Sequence, residues 1–126
     1  MARLRADRLR KRADFLRAQR GIRKSTAGLT LEVCATPPDS AKSGCFRVGF
    51  TASRKVGGAV ERNRAKRRLR AAAAAVLTGT ARECTDYVLI ARTRTLLRPY
   101  KSLLNDLASA LAAAHVRLSE DRHETR

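Results

Sequence analysis

Val48-Gly49-Phe50-Thr51-Ala52-Ser53-Arg54-Lys55 and, after a Gly57-Gly58 break, Glu61-Arg62-Asn63-Arg64-Ala65-Lys66-Arg67-Arg68-Leu69-Arg70 decide the fold of this chain. The first segment belongs to a run, Cys45 to Ser53, in which Phe46, Val48, Phe50 and Ala52 alternate with Arg47, Gly49, Thr51 and Ser53. Alternation with period two predicts a strand with one face for a core and the other for solvent or a ligand. The second segment predicts a helix over about 59–77. At 100° per residue, Ala65, Leu69, Ala72 and Val76 form a narrow apolar stripe. Arg62, Lys66 and Arg70 project together on a neighbouring arc, with Asn63 and Arg67 beside them. Six basic side chains fall between Arg62 and Arg70 with no acid among them. Like charges so placed repel and weaken a helix. A polyanion lying on that face would remove the penalty.

Working outward, Leu29-Thr30-Leu31-Glu32-Val33 alternates as a strand. The turn-rich loop 36–44 predicts that the strand following it is its antiparallel partner. A short helix over about 8–17 carries Leu9, Phe15 and Leu16, within and behind a basic arm over 1–12 that begins with Arg3. Downstream, Asp86 to Ala91 is short and almost wholly apolar, the pattern of a strand buried on both faces. Pro99 precedes a last helix over about 100–118, with Leu103, Leu104, Leu107, Leu111 and Ala114 facing inward. Residues 119–126 read as a polar, frayed tail. The order helix, strand, strand, helix, strand, helix predicts a single α/β domain over 1–118, more narrowly a two-layer α+β sandwich. Its helices pack on one face of a small mixed sheet. The opposite face, with Arg47, Thr51 and Ser53, is expected to stay open.

Charge narrows the partners. The chain carries 28 Lys+Arg against 11 Asp+Glu, a net +17, and residues 1–70 hold 20 of the basic and 5 of the acidic residues. Such a field attracts phosphate backbones and ties affinity to salt through counterion release. An anionic membrane surface is the other polyanion to weigh, but no stretch approaches the ~20 apolar residues of a spanning helix. The Arg-rich N-terminus has no apolar run behind it, so no signal peptide is expected and the expected location is the cytoplasm. Cys34, Cys45 and Cys84 are odd in number, lack CxxC spacing and lie far along the chain from His115 and His123. Free thiols are expected, and no metal site. The sequence offers no Ser/His/Asp set, no paired carboxylates in an apolar run and no phosphate-cradling Gly loop, so the chain is expected to supply no catalytic groups of its own.

A charge run is ordinarily a solvated surface. Here the charges are unmixed, adjoin a polar sheet face and favour Arg, whose planar fork holds phosphate bidentately. Asn63, a poor helix former, suits hydrogen bonding. Phe15 reads either as core, a partial lid on the sheet, or as a stacking platform for an unpaired base. Aromatics are only 4% of the chain, too few for stacking over many nucleotides, which leaves backbone electrostatics dominant.

Arg62-Asn63-Arg64 with Lys66-Arg67 and Arg70, following a Val-Gly-Phe-Thr-Ala-Ser-Arg-Lys strand, resembles the signature of the bacterial ribonuclease P protein component. Asp14-Phe15, Asp86-Tyr87-Val88-Leu89-Ile90-Ala91-Arg92 and the Leu-rich final helix extend the resemblance over about 5–116. It implies a protein that binds the catalytic RNA of ribonuclease P, with Mg²⁺-dependent hydrolysis performed by that RNA and the 5′ leader of precursor tRNA as the segment removed. By position it implies RNA contacts for Arg54, Lys55, Arg62, Asn63, Arg64, Lys66, Arg67 and Arg70. It also implies a leader cleft with Phe15 at the edge of Arg47, Thr51 and Ser53, a left-handed β-α-β crossover through the Arg-rich helix, and a protein that is monomeric apart from its RNA complex. Two positions depart from the family pattern. A second aromatic after Phe15 is replaced by Leu16, Ala18 and Gln19, and an aromatic on the first strand by Leu31, Glu32 and Val33. A carboxylate at Glu32 would repel phosphate if it faced the cleft. The alternative is a small basic ribosomal protein or assembly factor that binds rRNA without an enzymatic role.

Overall fold

In the computed structural model, which describes residues 4–124, the apolar run read as a doubly buried strand sits at the centre of the sheet. This is β5, Thr85–Ala91. On one side it pairs parallel with β4, Cys45–Ala52, and on the other antiparallel with β3, Leu29–Ala35. The strands flanking loop 36–44 are therefore not neighbours, contrary to the hairpin expected from the sequence. They run in opposite directions, but β5 lies between them. The physical reason is burial: Tyr87, Val88 and Leu89 need cover on both faces and both edges, and only a central strand has it.

Two edge strands carry no alternation and were invisible in the sequence. β1, Arg5–Arg8, lies parallel to β4, inside the stretch read as a basic arm. β2, Ile22–Ser25, lies antiparallel to β3. The order is β1-β4-β5-β3-β2. Both edges are short and charged, which discourages pairing with another chain.

One face of the sheet packs on two long helices. The helix α2, Ala59–Thr80, buries Ala65, Leu69, Ala72, Ala73 and Leu77. Its partner on that face, Tyr100–Glu124, buries Leu103, Leu107, Ala110, Leu111, Ala114 and Leu118. They close over Leu29, Leu31, Val33, Phe46, Tyr87 and Leu89. The last helix continues through residues 119–124, which the sequence had assigned to a frayed tail. Inside it His115 accepts burial at the expense of charge. Desolvation, reinforced by the Arg82 guanidinium, holds its imidazole below the usual histidine range, and Nε2 lies 2.7 Å from the Tyr87 hydroxyl.

The remaining helix corrects the expectation of a one-sided sandwich. It spans Arg12–Gln19 and is α1 here; it packs on the opposite face, where Ala18 and Leu9 form a second small cluster with Val88. Its sheet-facing side is Asp14, Phe15 and Ala18, while Leu16, expected to be apolar cover, is exposed. Arg3 and residues 125–126 lie outside the described residues. No described helix is long and apolar enough to cross a membrane.

Candidate nucleic-acid interface

The cationic helix starts where β4 ends. Arg54–Val56 forms a single 3₁₀ turn with Val56 buried, so Arg54 and Lys55 are turned outward. Gly57 then takes φ +146, a conformation that side chains rarely adopt. A Cβ there would also meet the Glu61 Cβ at 2.8 Å. Glu61 itself stands in the first turn of α2, where a carboxylate favours the helix dipole.

Along α2, Asn63, Arg64, Arg67 and Arg70 are exposed, and Arg62 and Lys66 are half-buried. Among the described residues none of these cations, nor Arg54 or Lys55, forms an ion pair with a carboxylate. The Arg70 guanidinium lies 5.4 Å from the centroid of the Phe50 ring, which props it without neutralising it. Arg68 is different. It donates to the carbonyls of Thr95, Leu96 and Arg98 at 2.6, 2.8 and 2.5 Å, tying α2 to the turn after β5. That residue is structural, and the rest of the run forms an unneutralised surface.

The polar sheet face divides in two. Phe15 of α1 comes down on Gly49, where an added Cβ would lie 2.7 Å from two ring carbons. Only glycine lets the ring approach that closely. Thr51 and Ser53 lie beyond Phe15 on the open side of this contact, and Arg47 lies on the other.

Arg47 therefore does not line the open cleft as the sequence suggested. Its Nε and Nη2 donate to the two oxygens of Asp86 at 2.8 and 2.7 Å, and Nη2 sits 3.2 Å from Asp14. Asp86 is fully buried and also accepts from the Thr36 hydroxyl at 2.7 Å. Hydrogen bonding to Asp86, against the cost of burial, raises the Arg47 pKa further, so the guanidinium is permanently charged. Burial alone would raise the Asp14 pKa, but bonds from Arg17 and the charge of Arg47 outweigh it and hold the carboxyl below its usual range. The three groups are a strut between α1 and the sheet.

Arg47 instead borders a separate groove of about 420 Å³ with Arg8, Arg10 and Lys42. On the other side of Phe15 lies a groove of about 370 Å³ lined by Arg23, Ser25, Thr30, Ser53, Lys55, Ile90 and Arg92. Lys55 belongs both to this groove and to the unneutralised surface, so the groove runs into the cationic face of α2. Glu32 sits beneath this surface, 1% exposed, and accepts from Arg23 at 2.8 Å. Burial, partly offset by Arg23, raises its pKa. The feared repulsion of phosphate is thus masked by an exposed guanidinium. Arg23, Ser25, Ile90 and Arg92 escaped the sequence reading; Thr30 could have been found from alternation along β3, but β2 and the apolar run of β5 offered no such signal.

Among the described residues, no three His, Cys, Asp or Glu side chains cluster to hold a metal ion. The three thiols are free, and burial near Asp86 pushes Cys34 up to about 11.

Comparison with known proteins places these features in a family. A family model described as Ribonuclease P matches residues 4–115. The ribonuclease P protein component of Paramagnetospirillum magneticum is 51% identical over 108 residues, covering 85% of this chain and 81% of that one. Its counterpart in Ruegeria pomeroyi is 49% identical over 108 residues, with 85% of each chain covered. Among solved structures, the Staphylococcus aureus RNase P protein superposes with a TM-score of 0.67 at 27% identity, covering 85% of this chain and 94% of that one. The Thermotoga maritima RNase P protein, at 24% identity and TM-score 0.67 over 83% and 94%, shares the fold.

Proposed function

This chain belongs to the ribonuclease P protein family, and we propose that it binds the catalytic RNA of ribonuclease P and the 5′ leader of precursor tRNA, supporting endonucleolytic removal of that leader. The observation that carries the reading is the unneutralised cationic face of α2 running through Lys55 into the polar groove. Arg54, Lys55, Arg62, Asn63, Arg64, Lys66, Arg67 and Arg70 contact the RNA subunit. Phe15, Thr51 and Ser53 border the leader, and Arg47 acts behind them by fixing α1. Since only the precursor has a leader to fill the groove, the groove raises affinity for precursor over mature tRNA.

In this reading the RNA performs hydrolysis and holds Mg²⁺. Three buried groups that could otherwise serve as acid or base are committed elsewhere, Asp14 and Asp86 to Arg47 and His115 to Tyr87. The chain's contribution is electrostatic. Its cations offset phosphate repulsion between catalytic RNA and substrate, which lowers the Mg²⁺ needed for folding and cleavage. The protein works in the cytoplasm and is monomeric apart from its RNA complex. No observation favours the ribosomal alternative.

The test is cleavage of a 5′-extended precursor tRNA at low Mg²⁺ by a bacterial ribonuclease P RNA. Strong stimulation by a protein inert on its own is the expected result. Tight RNA binding without stimulation would sink the reading, and cleavage by protein alone would overturn the absence of catalytic groups.

A further inference from the structure

Another groove is larger than the one that borders α2. It measures about 490 Å³ and wraps round the outer edge of β2, between the end of α1 and the last turns of the C-terminal helix. Arg20, Arg23, Lys24 and Arg117 line it, and no acidic side chain does. Arg20 and Lys24 have no ion-pair partner among the described residues. Arg23 is already paired with Glu32, so Arg20 and Lys24 supply the excess positive charge that concentrates counterions in the concavity, which is the setting of an anion site.

Two further observations choose the kind of anion. β2 is the last strand of the sheet, so its outer backbone N–H groups have no strand to donate to and are available to phosphate oxygens. Arg23 lines this groove and also the one on the open sheet face. The two grooves meet at Arg23 and can be followed as one track. It starts at Lys55 beside α2, crosses β5 and β3 at Ile90 and Thr30, passes Ser25 and Arg23, and turns round the sheet edge to Arg20 and Lys24. From β4 to β2 is three inter-strand spacings, ~14 Å, so a chain that enters at Lys55 and is longer than a few nucleotides must leave the sheet at this edge. A small isolated anion would not need a continuous path.

We infer that the β2-edge groove binds the phosphodiester backbone of single-stranded RNA, and that it takes the nucleotides of the leader farthest from the cleavage site. This rests on the proposed function and extends it: leader length, and not only its presence, sets affinity. The contacts are to phosphate, so the site is indifferent to sequence.

Single-stranded site sizes on small domains run from ~4 to ~16 nucleotides, and leaders at those two lengths separate the grooves. The holoenzyme is titrated with precursor tRNA bearing each leader, and with mature tRNA, using wild-type protein and the R20A/K24A variant. The variant is expected to bind the long-leader substrate more weakly, with short-leader and mature binding unchanged. The long-leader salt slope should fall by ~1.4, two contacts at ~0.7 each, so the wild-type advantage shrinks about sevenfold between 50 and 200 mM salt. Unchanged long-leader binding overturns the inference, as does an equal loss for every substrate, which would place the groove against the tRNA body or the catalytic RNA. If wild-type holoenzyme does not prefer precursor over mature tRNA at all, it is the underlying functional reading that has failed. A photo-crosslinker on the leader's distal nucleotide gives an answer independent of the variant's folding. Attachment within residues 20–24 supports the site; attachment to α2 alone counts against it.

Discussion

Between Asp14 and Asp86 the Arg47 guanidinium has every reason to stay where it is, and this decides what position 47 does. Alternation along β4 assigns Arg47 to the polar face, as the structure has it. Its partners, 33 and 39 residues away, are set by tertiary pairing and leave no local trace. Truncation would strand Asp86, which is fully buried, and Asp14, which nearly is. Removing one member of such a cluster costs about 3 kcal/mol, since the remaining charges keep their desolvation without their compensation. Arg47→Ala should therefore lower urea-measured stability by about that amount at neutral pH. The folded pKa of Asp14 is depressed, so its contribution is present above the unfolded value of 3.8 and is lost as pH falls below it. The gap between wild type and Arg47→Ala should narrow in that acid range. A constant gap from neutral pH down to pH 3 would show that Arg47 acts through packing alone.

At the scale of elements, α2 shows why a charge run cannot be read residue by residue from sequence. Arg67 and Arg68 are adjacent and chemically identical. Arg67 is exposed without an ion-pair partner among the described residues, whereas Arg68 donates to three carbonyls of the segment 95–98. Arg68→Ala leaves those carbonyls without their charged donor and should cost about 1–3 kcal/mol in thermal or urea unfolding. The salt dependence of RNA binding should not move; a flatter slope in a well-folded Arg68→Ala protein would put the residue on the interface after all. The three central strands and three helices were legible because each has a period or an unbroken apolar run. The strands β1 and β2 were not, because Arg5–Arg8 and Ile22–Ser25 are edge segments held by backbone bonds to β4 and β3. The neighbour relation of β3 and β4 failed for another reason. Loop composition says that the chain turns, but which strand fills the gap depends on which one most needs burial. The same blindness to β2 hid Arg23 and Ser25 from the groove, while the helix that carries the α2 cations was readable from its pattern and the separate role of Arg68 was not.

For the whole molecule the relevant quantity is where +17 is placed. The half that ends at Arg70 carries 20 of the 28 basic residues, and the fold gathers many of them around the face that α2, the 3₁₀ turn and the open groove share. The long helix pair and the buried face of the sheet lie behind this surface as a nearly apolar block, of low polarisability, that does little to screen it. Stability and binding are thus opposed at the same residues: each exposed cation on α2 repels its neighbours when no RNA is present, and each is neutralised when RNA is bound. Replacing Arg64 and Arg67 together by Ala should expose both sides of that opposition. RNA affinity should fall, with a salt slope reduced by about 1.4–1.8 for two phosphate contacts at ~0.7–0.9 each. Thermal stability of the free protein should hold or rise by a few tenths of a kcal/mol, because repulsion at helical spacing is relieved. The pair of signs is what matters. A loss of stability together with weaker binding would mean that these arginines hold the helix in place, and an unchanged slope would move the interface away from α2 altogether.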